Sequence, residues 1–266
     1  MRIAVCVKQV PDPETPPSQF KIDEAALAVV SPPGVPPVVN GFDLNAVEAA
    51  LRVRETLAGQ EVEITVLSVG TGFVMDVMKR PLSMGADRLV LVDDPSLAAL
   101  DAVATVKVLA AAIRHTGPFD IVMCGRQASD WDQATVPLGL AEALDLPCVT
   151  LARSVQVQDS SVTVERVIVD GHQVIEAQLP ALITFSNELG EPRYPNLRGI
   201  MAASRKTPET LTLEDLEITA SDLEPALKLT RLFVPESGQE CEFIEGEDDA
   251  DAGRRLAVRL REAKLI

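Results

Sequence analysis

Aromatic side chains are scarce: tryptophan and tyrosine occur once each and phenylalanine seven times in 266 residues. The interior must therefore be built from aliphatic residues, and with 47% hydrophobic residues there are enough for one large domain, or one domain with an appendage. Histidine is rarer still. His115 and His172 are far apart, which argues against a histidine-built metal centre and leaves no basis for a Ser-His-Asp triad. The four cysteines, Cys6, Cys124, Cys148 and Cys241, show no CxxC spacing and are read as buried free thiols in a reducing compartment. No apolar run approaches the roughly 18 residues of a membrane span, and no charged start followed by a long apolar stretch marks an export signal. The expected location is cytoplasmic, without membrane insertion. Bases are also in deficit, 24 against 40 acids, for a net charge of −16. That balance argues against nucleic acid and anionic membranes as partners, because the field over most of the surface would repel them.

What remains is an alternation of short aliphatic runs and helix-period segments. Ile3 to Val7, Val62 to Val69, Arg88 to Val92 and Asp120 to Cys124 have strand length and many β-branched residues. Between them, Leu44 to Leu57 presents one apolar face, with Asp43 as its expected N-cap. Ser96 is expected to cap a long buried helix from Leu97 to His115, ended by Gly117-Pro118. Runs that are apolar throughout, separated by helices, predict parallel strands covered on both faces. Ligands of such sheets bind beyond the carboxyl ends of the strands, in the loops after Val7, Val69, Val92 and Cys124.

From Val149 the pattern changes. Val155 to Val157, Ser161 to Val169 and Gln173 to Leu179 alternate apolar and polar residues, and Asp170-Gly171 marks a hairpin turn. Ala181 to Phe185 is again fully apolar and is expected to rejoin the main sheet. Glu191 to Met201 is too apolar for a solvated connection. From Glu236 to Ala252 there are acids and no base, followed by Gly253 and the basic, helix-like RRLAVRLREAKLI. Such a tail is read as a solvated arm that packs at its end, with an arm that wraps a partner subunit as the alternative.

Catalytic signatures are thin. There is no Walker A sequence and no GxGxxG. Gly70-Thr71-Gly72 fits a nucleotide approach and a plain strand-to-helix turn alike. Gly125 to Asp132 is more informative: it follows a buried strand, holds the sole tryptophan, and leads into an expected helix from Gln133 to Leu144. Asp130 and Asp132 could be a carboxylate pair or a metal site, but acids at a helix start are better explained as caps. The same helix start could receive a phosphate, with Arg126 assisting. The residues themselves thus describe a nucleotide-binding α/β protein without an evident catalytic group.

Several strings, taken together, resemble the β subunit of electron transfer flavoprotein over nearly the whole chain. They are Val5 to Asp12 (VCVKQVPD), Asn40 to Asp43 leading into Ala46 to Ala50, Met84 to Arg88, Gly125 to Asp132, Val164 to Arg166, Leu179 to Ala181, and Glu191 to Tyr194 followed by Ile200-Met201. The resemblance implies a Rossmann-like three-layer α/β fold with a parallel sheet, of the adenine nucleotide alpha hydrolase-like type, carrying an antiparallel hairpin insertion and a C-terminal arm. Residues 1–204 would form the nucleotide-binding domain and residues 205–266 the extension that packs on the partner. It also implies a heterodimer with a larger α subunit that holds most of a shared FAD, while the β subunit binds AMP and supplies no catalytic residue. Electrons would arrive from dehydrogenases of the acyl-CoA type.

By position in the motifs, the nucleotide site would comprise Cys6, Asn40, Gly41, Phe42, Asp43 and Val69. Its long loop would add Gly125, Arg126, Gln127, Ala128, Ser129, Asp130, Trp131, Asp132, Gln133, Ala134, Thr135 and Val136. Partner recognition would fall on Tyr194, Pro195, Asn196, Leu197, Arg198, Ile200 and Met201, with Leu197 as the anchor. The chain departs from the AMP-binding pattern at Ala134 to Pro137, where the common type reads Asn-Gln-Thr-Gly. Ala134 and Val136 instead match flavin-bifurcating relatives, which bind a second FAD there and use NADH; Thr135 and Pro137 match neither. A stand-alone adenine-nucleotide protein of similar fold is the remaining alternative.

Overall fold

The computed structural model describes residues 1–235 and 241–266. They fall into two compact units, Met1–Leu232 and Phe233–Ile266. In the first unit, β1 (Arg2–Cys6) is followed by short strands β2 (Gln9–Val10), β3 (Lys21–Asp23), β4 (Ala28–Val30) and β5 (Val38–Val39), which lead into helix α1 (Gly41–Thr56). Next come β6 (Glu63–Gly70), the short helices α2 (Met75–Met78) and α3 (Arg80–Met84), β7 (Arg88–Asp93), α4 (Ala102–Thr116), β8 (Ile121–Gly125) and α5 (Val136–Leu144). A meander of β9 (Cys148–Gln158), β10 (Ser161–Ile168) and β11 (Gly171–Gln178) precedes β12 (Ala181–Phe185), α6 (Leu197–Arg205) and β13 (Glu209–Leu211).

Nine strands form one sheet in the order β11-β10-β9-β12-β8-β1-β6-β7-β13. Pairing is parallel from β9 to β13 and antiparallel only in the meander. The reason is visible in β1: Ile3 and Val5 enter one core and Ala4 and Cys6 the other, because successive side chains leave opposite faces of the pleat. One layer covers the first face with α1 and its neighbours, and α4 and α5 cover the second, giving three layers.

Some boundaries differ from the sequence expectation. The long helix does not begin at Leu97: Asp94 closes a separate turn by accepting from the Ser96 N–H (2.8 Å), and α4 starts at Ala102 because Asp101 accepts from the Ala104 N–H (2.8 Å). Asp43 does not cap α1; Asn40 holds the cap position. Val155 to Val157 is not a separate strand. It continues β9, which kinks at Leu151 (φ 58°), where the Thr184 hydroxyl accepts from the Leu151 N–H (3.0 Å), and so pairs first with β12 and then with β10. Of the four cysteines, only Cys6 and Cys124 are buried; Cys148 and Cys241 are exposed.

The first unit extends past residue 204, because β13 pairs with β7 and Leu211 and Leu216 are buried in the α4 core. In the second unit the helix α7 (Asp249–Glu262) begins ahead of Gly253. Asp248 caps it by accepting from the Asp251 N–H (2.7 Å), and Asp251 pairs with Arg254 and Arg255 (both 2.8 Å), so the end of the acidic run is part of the helix. Within the expected acidic stretch, residues 236–240 lie outside the described residues. Among the described residues no helix is long and apolar enough to cross a membrane.

Candidate functional site

The order of the sheet determines where a ligand can sit. From β1 the chain proceeds outward through β6 and β7, then returns to the other side of β1 to form β8. The carboxyl ends of β1 and β8 therefore diverge around a crevice at a topological switch point. Cys6, in register with Cys124, ends β1 there, Gly125 ends β8, and Val69 lies beside them near the end of β6.

The turn Asn40–Asp43, at the start of α1, closes this crevice from the side. Asn40 is fully buried; its Nδ2 donates to the Gln127 carbonyl (2.8 Å) and its Oδ1 accepts from the Ser129 N–H (3.2 Å). The Asp43 carboxylate accepts from the Lys8 N–H (2.8 Å) and the Gly125 N–H (3.1 Å), so one side chain ties together the ends of β1, β8 and α1. Burial pushes its pKa up to about 7, against the opposing effect of those amides and of Asn40. Gly125 is required by contact: a Cβ there would lie 2.3 Å from Asp43 Oδ1 and 2.7 Å from the Phe42 carbonyl carbon. The Arg126 guanidinium sits 5.3 Å from the centre of the Phe42 ring, and the Arg126 backbone N–H donates to the Phe185 carbonyl (2.7 Å).

Asp130 and Asp132 do not cap a helix. Asp130 pairs with the Lys8 ammonium (2.7 Å), and Asp132 accepts from Gln127 Nε2 (2.6 Å), while α5 begins only at Val136. Asp132 and Ala134 adopt positive φ (50° and 52°), so Gln133 to Thr135 belong to the loop. Trp131 is half exposed on it. The cap position of α5, Thr135, forms no side-chain cap bond, which leaves first-turn amides without a side-chain acceptor, and Pro137 contributes none. The buried Ser129 hydroxyl has no hydrogen-bond partner. A buried unpaired hydroxyl costs about 1–3 kcal/mol, and it fits a crevice that offers a donor to a ligand. Among the described residues no group of three or more His, Cys, Asp or Glu is placed to hold a metal.

Two further residues belong to this site. Lys8 supplies an amide and an ammonium, and Gln9 bridges to the next loop by donating to the Gly72 carbonyl (3.2 Å) and accepting from the Val74 N–H (2.8 Å). Both stand directly after β1 at the carboxyl edge, so the rule that directed attention to the loop after Val7 could have identified them.

The second cluster is built around α6. Asn196 caps α6 by accepting from the Gly199 N–H (2.8 Å), and Gly199 lies so close to α3 that a Cβ would meet the Ser83 carbonyl oxygen at 2.3 Å. That contact turns Leu197, Ile200 and Met201 outward; Leu197 is 74% exposed and Tyr194 85%. Pro195 and Arg198 lie on the same short stretch. Its root is fixed by Arg193, whose guanidinium pairs with Glu48 (2.8 Å) and Glu55 (2.6 Å) of α1. An apolar outward face on a rigid mount is a feature of protein interaction sites.

Residues 28–216 match the family model described as the electron transfer flavoprotein domain. Over the full length of both chains, the sequence is 40% identical to the electron transfer flavoprotein subunit beta of Thermoanaerobacterium thermosaccharolyticum. It is 39% identical to the subunit of the same name from Megasphaera elsdenii, across 94% of this chain and 93% of that one. A third relative, the caffeyl-CoA reductase-Etf complex subunit CarD of Acetobacterium woodii, is 35% identical over the full length of both.

Proposed function

The chain belongs to the electron transfer flavoprotein family, among its beta subunits, and from that premise we propose that it is the nucleotide-binding half of a two-chain electron carrier. Its crevice binds the adenylate portion of AMP, and its α6 face receives the dehydrogenase that delivers electrons. The observation that carries this reading is the convergence of Asn40, Asp43, Gly125 and the unpaired Ser129 hydroxyl at the switch point between β1 and β8. FAD, held mainly by a larger α subunit, would supply the redox chemistry. The residues of this chain bind, orient and exclude water.

A second reading is favoured by one feature. Ala134, Val136 and Pro137 remove an amide side chain, a hydroxyl and a backbone N–H from the phosphate end of the loop. Ala134 and Val136 also resemble the residues of flavin-bifurcating relatives here, which favours the ADP half of a second FAD in a bifurcating complex that uses NADH. The naming of one relative as a subunit of a caffeyl-CoA reductase-Etf complex is in keeping with a dehydrogenase-like partner.

The test is to co-express the chain with an α subunit, denature the purified complex and identify the released nucleotides. One FAD and one AMP per complex supports the carrier reading, and two FAD supports the second. A chain that stays monomeric beside α would overturn both in favour of a stand-alone nucleotide-binding protein.

A further inference from the structure

Two thiols lie side by side near the carboxyl ends of β1 and β8. Cys6 ends β1, Cys124 is the penultimate residue of β8, and the two are register partners on adjacent parallel strands. Neighbouring strands lie about 4.8 Å apart, within the range of Cα separations, about 4.4–6.8 Å, that permits two cysteine side chains to be bridged. Because they are in register they leave the same face of the sheet, and both belong to the core beneath α4 and α5. The two thiols are neighbours on that face, and Cys6 is the first influence on the Cys124 thiol. Neither is in a disulfide, and Cys6 retains 8% exposure, against 4% for Cys124.

We propose that Cys6 and Cys124 form a two-thiol site for a soft, dithiol-seeking centre of the trivalent arsenical class, and that a nucleotide in the crevice above excludes it. The competition rests on the nucleotide reading given above; the two-thiol site does not. Soft centres select sulfur ligands. The neighbouring Cys6 sulfur and burial hold the Cys124 thiol protonated well above its ordinary range, so reagents that require a thiolate meet a poor nucleophile. An arsenic oxide is not limited in that way. Two As–S bonds form, the As–O bonds break, and the two thiol protons leave with the oxygen as water, with no change in oxidation state.

The test uses the full chain carrying Cys148→Ser and Cys241→Ser, which removes the exposed thiols, and phenylarsine oxide as the probe. Intact mass is expected to show one arsenical per nucleotide-free chain, released by 2,3-dimercaptopropanol but not by a monothiol. Adding Cys6→Ser or Cys124→Ser should weaken binding about 100-fold, because the second bond is intramolecular. AMP should slow adduct formation. No adduct on the folded chain, reversal by a monothiol, or equal binding by the single-thiol variants overturns the site. An adduct that forms at the same rate with saturating AMP overturns the exclusion and counts against placing the nucleotide over β1 and β8, while the two-thiol site stands.

Discussion

Asp43 joins three elements through two backbone amides while almost wholly removed from water. Its carboxyl titrates at about 7 instead of the ordinary 3.8, so between those values the folded chain binds a proton that the unfolded chain does not. Stability from this group is therefore full below about pH 4 and is lost as the pH rises toward 7, on the order of 4 kcal/mol in all. Asp43→Asn removes the titration at the cost of one acceptor. Urea unfolding of both proteins from pH 4.5 to 8 should show the difference in stability moving in favour of the asparagine variant up to about pH 7 and constant beyond; a constant difference throughout would refute the assignment. Arg193 presents the opposite case. Burial alone would raise the Glu48 carboxyl, but Arg193 and Arg52 outweigh it and hold it below its ordinary value of 4.5, so the pairing contributes stability above that pH and loses it as the pH falls. Arg193→Ala should cost about 1–3 kcal/mol at pH 7, between the values for exposed and buried pairs, and less at pH 4.

At the scale of elements, α6 separates stability from function. Leu197 lies in its first turn and contacts water rather than core, so Leu197→Ala should change the melting free energy by no more than about 0.5 kcal/mol. If this leucine fills a pocket on a dehydrogenase, the same change should weaken electron delivery by roughly 1.5–3 kcal/mol of lost burial, tenfold or more. Stopped-flow reduction at varied dehydrogenase concentration, with flavin content as control, distinguishes the two; loss of flavin would mean that Leu197 supports the fold. The same contrast explains what sequence could reveal. The strands at Ile3, Ile64, Leu89 and Ile121 were legible because aliphatic runs buried on both faces leave a local pattern. The starts of α1 and α5 were not, because Asp43 and Asp130 resemble caps locally but are engaged by Lys8 and Gly125, distant in sequence, while Asp132 is taken up by Gln127 within its own loop. Such long-range partners have no signature in the spacing of residues. The outward direction of Leu197 was implied by family likeness alone, and its physical cause, the close seat of Gly199 on Ser83, depends on tertiary contact.

For the whole molecule, the division of charge and core predicts how the parts behave when separated. Both hydrophobic cores are built from residues of the first unit, Met1–Leu232, and the buried residues of β13 and the turn after it lie inside that boundary. In the second unit α7 buries no residue; its order comes from the Asp248 cap and from ion pairs such as Arg259–Glu242 (2.8 Å), which are worth little in water. A helix of this length with an unburied apolar face is marginal alone. A chain ending at Leu232 should therefore melt cooperatively within a few degrees of the full chain. Deleting 253–266 should leave folding intact while weakening association with an α subunit, because it removes exposed Leu256 and Val258 and the flanking bases Arg254, Arg255, Arg259 and Arg261 that would meet it. Calorimetry of the truncated chain and titration of α into each form separate the two effects. Unchanged affinity for α after the deletion would count against an arm that wraps a partner, and a truncated chain that fails to melt cooperatively would mean that the last unit completes the fold.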